Sequence, residues 1–154
     1  MKKTKFARLA SCILVCCGLS LGFGAAAEPA STPMPPPQYH GSLVVVTGGI
    51  GSDEVAAFRR VRQNYALSLN YSVTRQNDNK AAFVSDVQVV IRDQYDQTLL
   101  NITTDGPFCL VQLPAGEYTV HSTYLGQTQS HQVSIIDNKP TALDIQWAEA
   151  ATQS

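Results

Sequence analysis

From Tyr65 to Trp147 the apolar residues recur at every second position in short runs, and each run ends in a cluster of Asp, Asn, Gly or Pro. That pattern admits few folds. A period of two places alternate side chains on opposite faces of a strand, and many short strands separated by turn residues build a sandwich rather than helical layers. In the first run Tyr65, Leu67, Leu69, Tyr71 and Val73 share a face, and Arg75 to Lys80 is a polar turn. Phe83 to Arg92 reads as the next strand, with Val87, Val89 and Ile91 inward. Asp93 to Asp96 turns the chain, Thr98 to Thr103 returns it, and Asp105-Gly106-Pro107 turns it again. Phe108 to Leu113, Glu117 to Tyr124, Gln129 to Ile136 and Thr141 to Trp147 complete the series, and Ala148 to Ser154 reads as a frayed tail.

Upstream, Gly41 to Thr47 carries the β-branched run Val44-Val45-Val46, a first strand that Gly48-Gly49-Ile50-Gly51 breaks. Ser52 is then a candidate N-cap, and Asp53 and Glu54 lie where carboxylates suit the helix dipole. Val55, Phe58, Val61 and Tyr65 follow at helical spacing, which predicts one helix over Asp53 to Asn64. The chain is therefore expected to be mainly β: a seven- to eight-stranded sandwich over residues 41–147 with one short N-terminal helix. At 44% hydrophobic content, its 154 residues support one such core.

The central strands carry a more specific ladder. Val89-x-Ile91-x-Asp93 leads to Thr104-Asp105-Gly106-x-Phe108-x-Leu110, then Leu113-Pro114-x-Gly116-x-Tyr118-x-Val120. It resembles the carboxypeptidase regulatory-like domain, a transthyretin-like sandwich of the immunoglobulin/prealbumin type, with relatives in the carbohydrate-binding-like fold and in Cna B-type repeats. Gln94-Tyr95-Asp96 stands where that pattern has a glycine, and the Gly-rich turn and helix lie outside the common domain. The resemblance implies a fold and no activity, since sandwiches host many roles.

The N-terminus reads as an address. Lys2, Lys3, Lys5 and Arg8 precede an uncharged stretch, Leu9 to Ala27, that closes on Ala25-Ala26-Ala27. This is the tripartite secretory pattern, with cleavage expected before Glu28. The chain is expected in the periplasm of a bacterial envelope; the alternatives are secretion, or anchoring by an uncleaved signal. Membrane contact is expected only through the signal during export. Cys12, Cys16 and Cys17 would leave with it, so Cys109 alone remains and forms no internal disulfide. Glu28 to His40, with five prolines, reads as a disordered leader. The remainder holds seven basic and twelve acidic residues, a net −5 without a basic stripe, which argues against nucleic-acid binding.

No catalytic constellation is legible. Alternation puts His121 on the outer face of its strand and His131 on the inward phase of the next, so the two cannot share a metal. Asp93, Asp96 and Asp105 are read as turn residues rather than a calcium cluster. Cys109 sits among apolar neighbours and is read as buried. The Gly48–Gly51 turn lacks the Lys-Ser/Thr ending of a phosphate loop and is followed by two acids. Lys80 and Lys139 fall in loops and are not expected to form isopeptide bonds. No cofactor and no enzymatic activity are expected. What remains are surfaces: Tyr95 in a turn, Tyr124 and Leu125 at a hairpin tip, and Arg59 and Arg62 (with Arg60) on the helix. These candidates point to a non-catalytic domain that contacts an envelope protein, or alternatively to a carbohydrate-binding module using the loop aromatics.

Overall fold

A computed structural model describes residues 34–149. The signal segment, most of the leader and the end of the tail lie outside the described residues. The chain forms β1 (Gln38–His40), β2 (Leu43–Gly48), α1 (Ser52–Val61) with a single 3₁₀ turn (Arg62–Asn64), β3 (Leu67–Thr74), β4 (Ala81–Phe83), β5 (Gln88–Asp93), β6 (Thr98–Thr103), β7 (Phe108–Gln112), β8 (Gly116–Tyr124), β9 (Gln127–Ile135) and β10 (Thr141–Ala148). Six strands make one sheet in the order β1-β2-β7-β3-β10, with β4 also pairing with β3. The other four make a second sheet, β6-β5-β8-β9.

Alternation builds the core between them. Leu67, Leu69 and Tyr71 of β3 meet Val89 and Ile91 of β5, Val120 of β8 and Ile145 and Trp147 of β10 in one buried cluster. The Tyr71 hydroxyl bridges the layers to Ser122 Oγ at 3.2 Å. Both are buried, so Tyr71→Phe leaves the Ser122 hydroxyl without a partner and is expected to cost about 1–2 kcal/mol. In urea titrations, adding Ser122→Ala is expected to recover most of that loss; a double mutant no better than Tyr71→Phe alone would contradict the coupling.

On its second face the six-stranded sheet is covered by the helix at β2 and β7. There Val46, Phe108 and Leu110 form a separate cluster with Phe58 of α1, and Val55, Val61 and Tyr65 pack beside it. This explains why β2 and β7 read as continuous apolar runs while β3 and β10 alternate: strands covered on both faces need no polar side. The second face of β10 carries Ala142, Asp144 and Gln146, and Asn70 Nδ2 of β3 donates to Asp144 at 3.1 Å. The described part of the domain therefore has three layers over β2 and β7 and two elsewhere.

Four details differ from the sequence reading. Gln38–His40 of the expected leader pairs with β2, and Met34 packs against the Phe58 cluster, so the ordered domain starts earlier than residue 41. The expected strand Phe83–Arg92 is two strands in different sheets. Asp86, at φ 58°, turns the chain from β4 in one sheet to β5 in the other. Ser52 is the first residue of α1 rather than its cap. The cap position is Gly51, without a side-chain cap, and the Glu54 carboxylate reaches back to accept from the Ile50 N–H, one residue before the cap, at 2.8 Å. Finally, the strand count rises to ten because β1 and β4 are too short to be signalled by periodicity.

Candidate functional site

The glycine-rich turn builds a groove. Gly49, at φ 96°, lies so close to the Phe108 ring that any Cβ would collide with it. The turn thus presses onto Phe108 and throws Ile50 outward, 67% exposed. Opposite stands β4, whose Phe83 is 49% exposed, with its ring centroid 5.6 Å from that of Phe108. Phe108 in turn stacks on Phe58 of α1 at 5.5 Å. Between the Gly49–Ser52 turn, Val55 and the Phe83–Ser85 segment, with Pro107 at one side, lies an open groove of about 550 Å³.

Carboxylates stand at its margin. Ser52 Oγ is 3.4 Å from Asp53 Oδ1, and Ser85 Oγ donates to Asp86 Oδ2 at 2.7 Å. The Ile50 amide is already held by Glu54, so that N–H does not serve as a donor to a bound phosphate. Nearby, Thr47 Oγ1 donates to Asp105 Oδ2 at 2.7 Å, which ties the end of β2 to the turn before β7.

The residues singled out from the sequence are dispersed. Tyr95 projects from the β5–β6 turn, 76% exposed. That turn is closed by Asp93 Oδ1, which accepts from the Tyr95 and Gln97 amides at 2.9 Å each. Asp96, at φ 63°, takes the left-handed position of that turn and pairs with Arg92 at 3.0 Å. Tyr124 lies at the other end of β8: Asp93 pairs with Tyr118 near one end, and Tyr124 with Gln127 at the other. Its ring packs on Trp147 at 5.5 Å. Tyr95 and Tyr124 therefore do not form one stacking platform. Leu125 is 83% exposed in the two-residue turn between β8 and β9, at φ 45° beside Gly126 at φ 78°. A bulky residue in the left-handed region is strained, and such turns favour Asn-Gly. Leu125→Asn is expected to raise stability by about 0.5–1 kcal/mol in thermal melts; a lowered Tm would contradict the strain. Arg59, Arg60 and Arg62 are exposed on the side of α1 and its 3₁₀ turn away from the sheet.

Among the described residues, the two domain histidines and the three turn acids are occupied or apart. His121 Nδ1 lies 2.7 Å from Ser130 Oγ on the outer face, while half-buried His131 contacts Gln129 Oε1 at 3.3 Å. Asp105 sits at the end of the sandwich opposite Asp93 and Asp96, so the three acids do not converge. Burial holds the Tyr71 phenol well above its ordinary range, with a smaller contribution from Cys109. Desolvation, then the Asp93 carboxylate, raises Tyr118, whose hydroxyl donates to Pro114 O at 2.8 Å.

Cys109 is fully buried, and burial pushes its thiol up to about 12 from 9.0. Between those values the unfolded chain has lost a proton that the fold keeps. Stability is therefore full below about pH 9 and falls as pH rises toward 12. Urea midpoints are expected to drop across that window, and less steeply in Cys109→Ala; equal slopes would remove Cys109 as a cause. An alkylating reagent is expected to label the thiol only after unfolding.

The sequence reading missed Ile50 and Phe83. Its one available signal was an isoleucine set between glycines, with no apolar neighbour in the turn to pack against. Phe83 reads from the sequence as the start of one strand running to Arg92, which gives no reason to place it opposite Ile50.

No family model matches the chain, and no curated protein matches it. Among solved structures, the Bacillus anthracis TIE protein is similar at 14% sequence identity and a TM-score of 0.32, over 54% of this chain and 16% of that one. The chain thus spans a small part of that structure's length, and a likeness of this extent says nothing of function.

Proposed function

We propose that this chain is an exported, non-catalytic accessory domain of a bacterial cell envelope, and that it acts by protein–protein contact at the groove between Ile50 and Phe83. The groove carries the reading. Two large apolar side chains are held toward solvent on opposite walls of one concavity, Ile50 by a glycine turn and Phe83 by a strand. Contiguous exposed apolar surface rimmed by polar groups is what partner sites look like. Export is supported by the basic, apolar and small-residue order of the first 27 residues. The absence of an enzymatic role is supported by a buried, proton-holding Cys109 and by histidines on opposite faces.

A photo-reactive phenylalanine analogue in place of Ile50 or Phe83 is expected to cross-link one identifiable protein in envelope extracts, and the same group at Gln146, on the second face of β10, is not. Cross-linking that is equal at all three positions, or unaffected by Phe83→Ser beside an Ile50 probe, would remove the groove as the site. Sequencing of the exported protein is expected to begin near Glu28; a start at Met1 would contradict cleavage. The carbohydrate alternative rests on Tyr95, the exposed turn aromatic. It predicts glycan-array binding that Tyr95→Ala abolishes.

A further inference from the structure

We infer that the occupant of this groove is an extended polypeptide segment that adds to the outer edge of β4 as a further strand and sets a basic residue beside its apolar anchor. The inference rests on the protein-binding reading above and names the form and charge of the partner.

The backbone of β4 supplies the first argument. Arg75 N donates to Lys80 O and Val84 N to Tyr71 O, at 3.0 and 3.3 Å. In an antiparallel pair such bonds alternate, so Lys80, Ala82 and Val84 turn their backbone groups to β3. The N–H and C=O of Ala81 and Phe83 point the other way. Among the described residues β4 pairs only with β3, so these four groups form an open edge. Apart from its shortness, Ala81-Ala82-Phe83 carries no guard against pairing, neither proline nor charge. A helix cannot satisfy alternating backbone groups along an edge; an extended segment can.

The pleat supplies the second. The Phe83 ring lies on the Phe108 side of the sheet, which is the groove side. A residue paired across from Phe83 on an added strand projects to the same face and so enters the space between Phe83 and Ile50.

Charge supplies the third. Asp53 and Asp86 stand beside lining serines on either wall, with Glu54 behind Ile50. The cations of the same elements are Lys80, just before β4, and Arg59 and Arg60 in the last turn of α1, beyond Val55. The Ser52–Ser85 half of the groove is thus acidic and favours a cationic partner. A second copy of the chain would bring two such acidic margins together, which disfavours pairing of β4 with itself.

The test selects short peptides from a random display library on the purified full chain. Selected peptides are expected to carry Lys or Arg within two positions of an apolar residue. Ala81→Pro removes one outward donor and no bond to β3, so it is expected to weaken their binding about tenfold with an unchanged urea midpoint. N-methylation of alternate peptide amides is expected to do the same on the unmodified protein, which covers the case of a variant that misfolds. Asp53→Asn with Asp86→Asn is expected to weaken binding about threefold at low salt and little at high salt. Peptides that fail on Phe83→Ser but tolerate Ala81→Pro and N-methylation would overturn strand addition while leaving the groove as a protein site. Selection of acidic peptides would overturn the charge assignment. No selected peptide, or self-association through β4 in sedimentation, would overturn the inference as a whole.

Discussion

Phe58→Ala is expected to cost about 3–5 kcal/mol and to detach α1 while leaving the sandwich folded. Phe58 is wholly buried and stacks on Phe108, and it is the one buried α1 residue in the cluster that fixes the helix to β2 and β7. That cluster has four buried members against the nineteen between the sheets. Removing a phenyl ring from the smaller one takes away most of what opposes the helix's own tendency to fray, since a helix this short has little stability alone. Trp147, the single tryptophan, lies in the larger cluster and reports on the sandwich. In urea, ellipticity at helical wavelengths and Trp147 fluorescence are expected to coincide in the unmodified protein and to separate in the variant, with the helix lost first. Coincident transitions shifted by under about 1 kcal/mol would contradict this division of the core. The variant also bears on the groove, because Phe108 is shared: α1 and the Ile50 turn are expected to lose their registration with Phe83 together.

Gly106→Ala is expected to cost about 3 kcal/mol despite an ordinary backbone conformation at that residue. A Cβ there would fall on the backbone carbonyl of Gly48, well inside van der Waals contact, and a backbone cannot swing aside as a flexible side chain can. The end of β2 would have to part from the turn before β7, breaking the Thr47–Asp105 hydrogen bond. Gly41→Ala is the control. Its φ is 62°, but the new methyl would meet open space, so only the left-handed penalty of about 1–2 kcal/mol applies. Thermal melts that rank Gly41→Ala as the costlier change would show that turn conformation, not close approach, decides Gly106.

These two residues show how far the sequence could be read. Phe58 was legible: with Val55, Val61 and Tyr65 at helical spacing it had to face a core. Gly106 was legible only in part. Asp-Gly-Pro announces a turn, but nothing local reveals that another glycine backbone passes against it from residue 48. The same division runs through the candidate site. Leu125 and Tyr95 were found because turn residues declare their own exposure. The groove was not found, because its walls come from segments far apart in the chain, residues 49–55 and 83–85. Its second wall belongs to a strand of three residues, too short for a period to be counted.

By itself the sequence determined a mainly β sandwich with one amphipathic helix, the inward faces of β3, β5 and β8, the turns between them, and the separation of His121 from His131. Each of these follows from alternation or turn chemistry that acts between near neighbours. Only the tertiary structure decided the rest. It set β10 parallel to β3, carried the chain between sheets at Asp86, tied the Ile50 turn to Glu54, and placed Ile50 opposite the open edge of β4. Those features depend on which distant backbones come into contact. That outcome is fixed by packing of the whole core and is not written in the periodicity of any one segment.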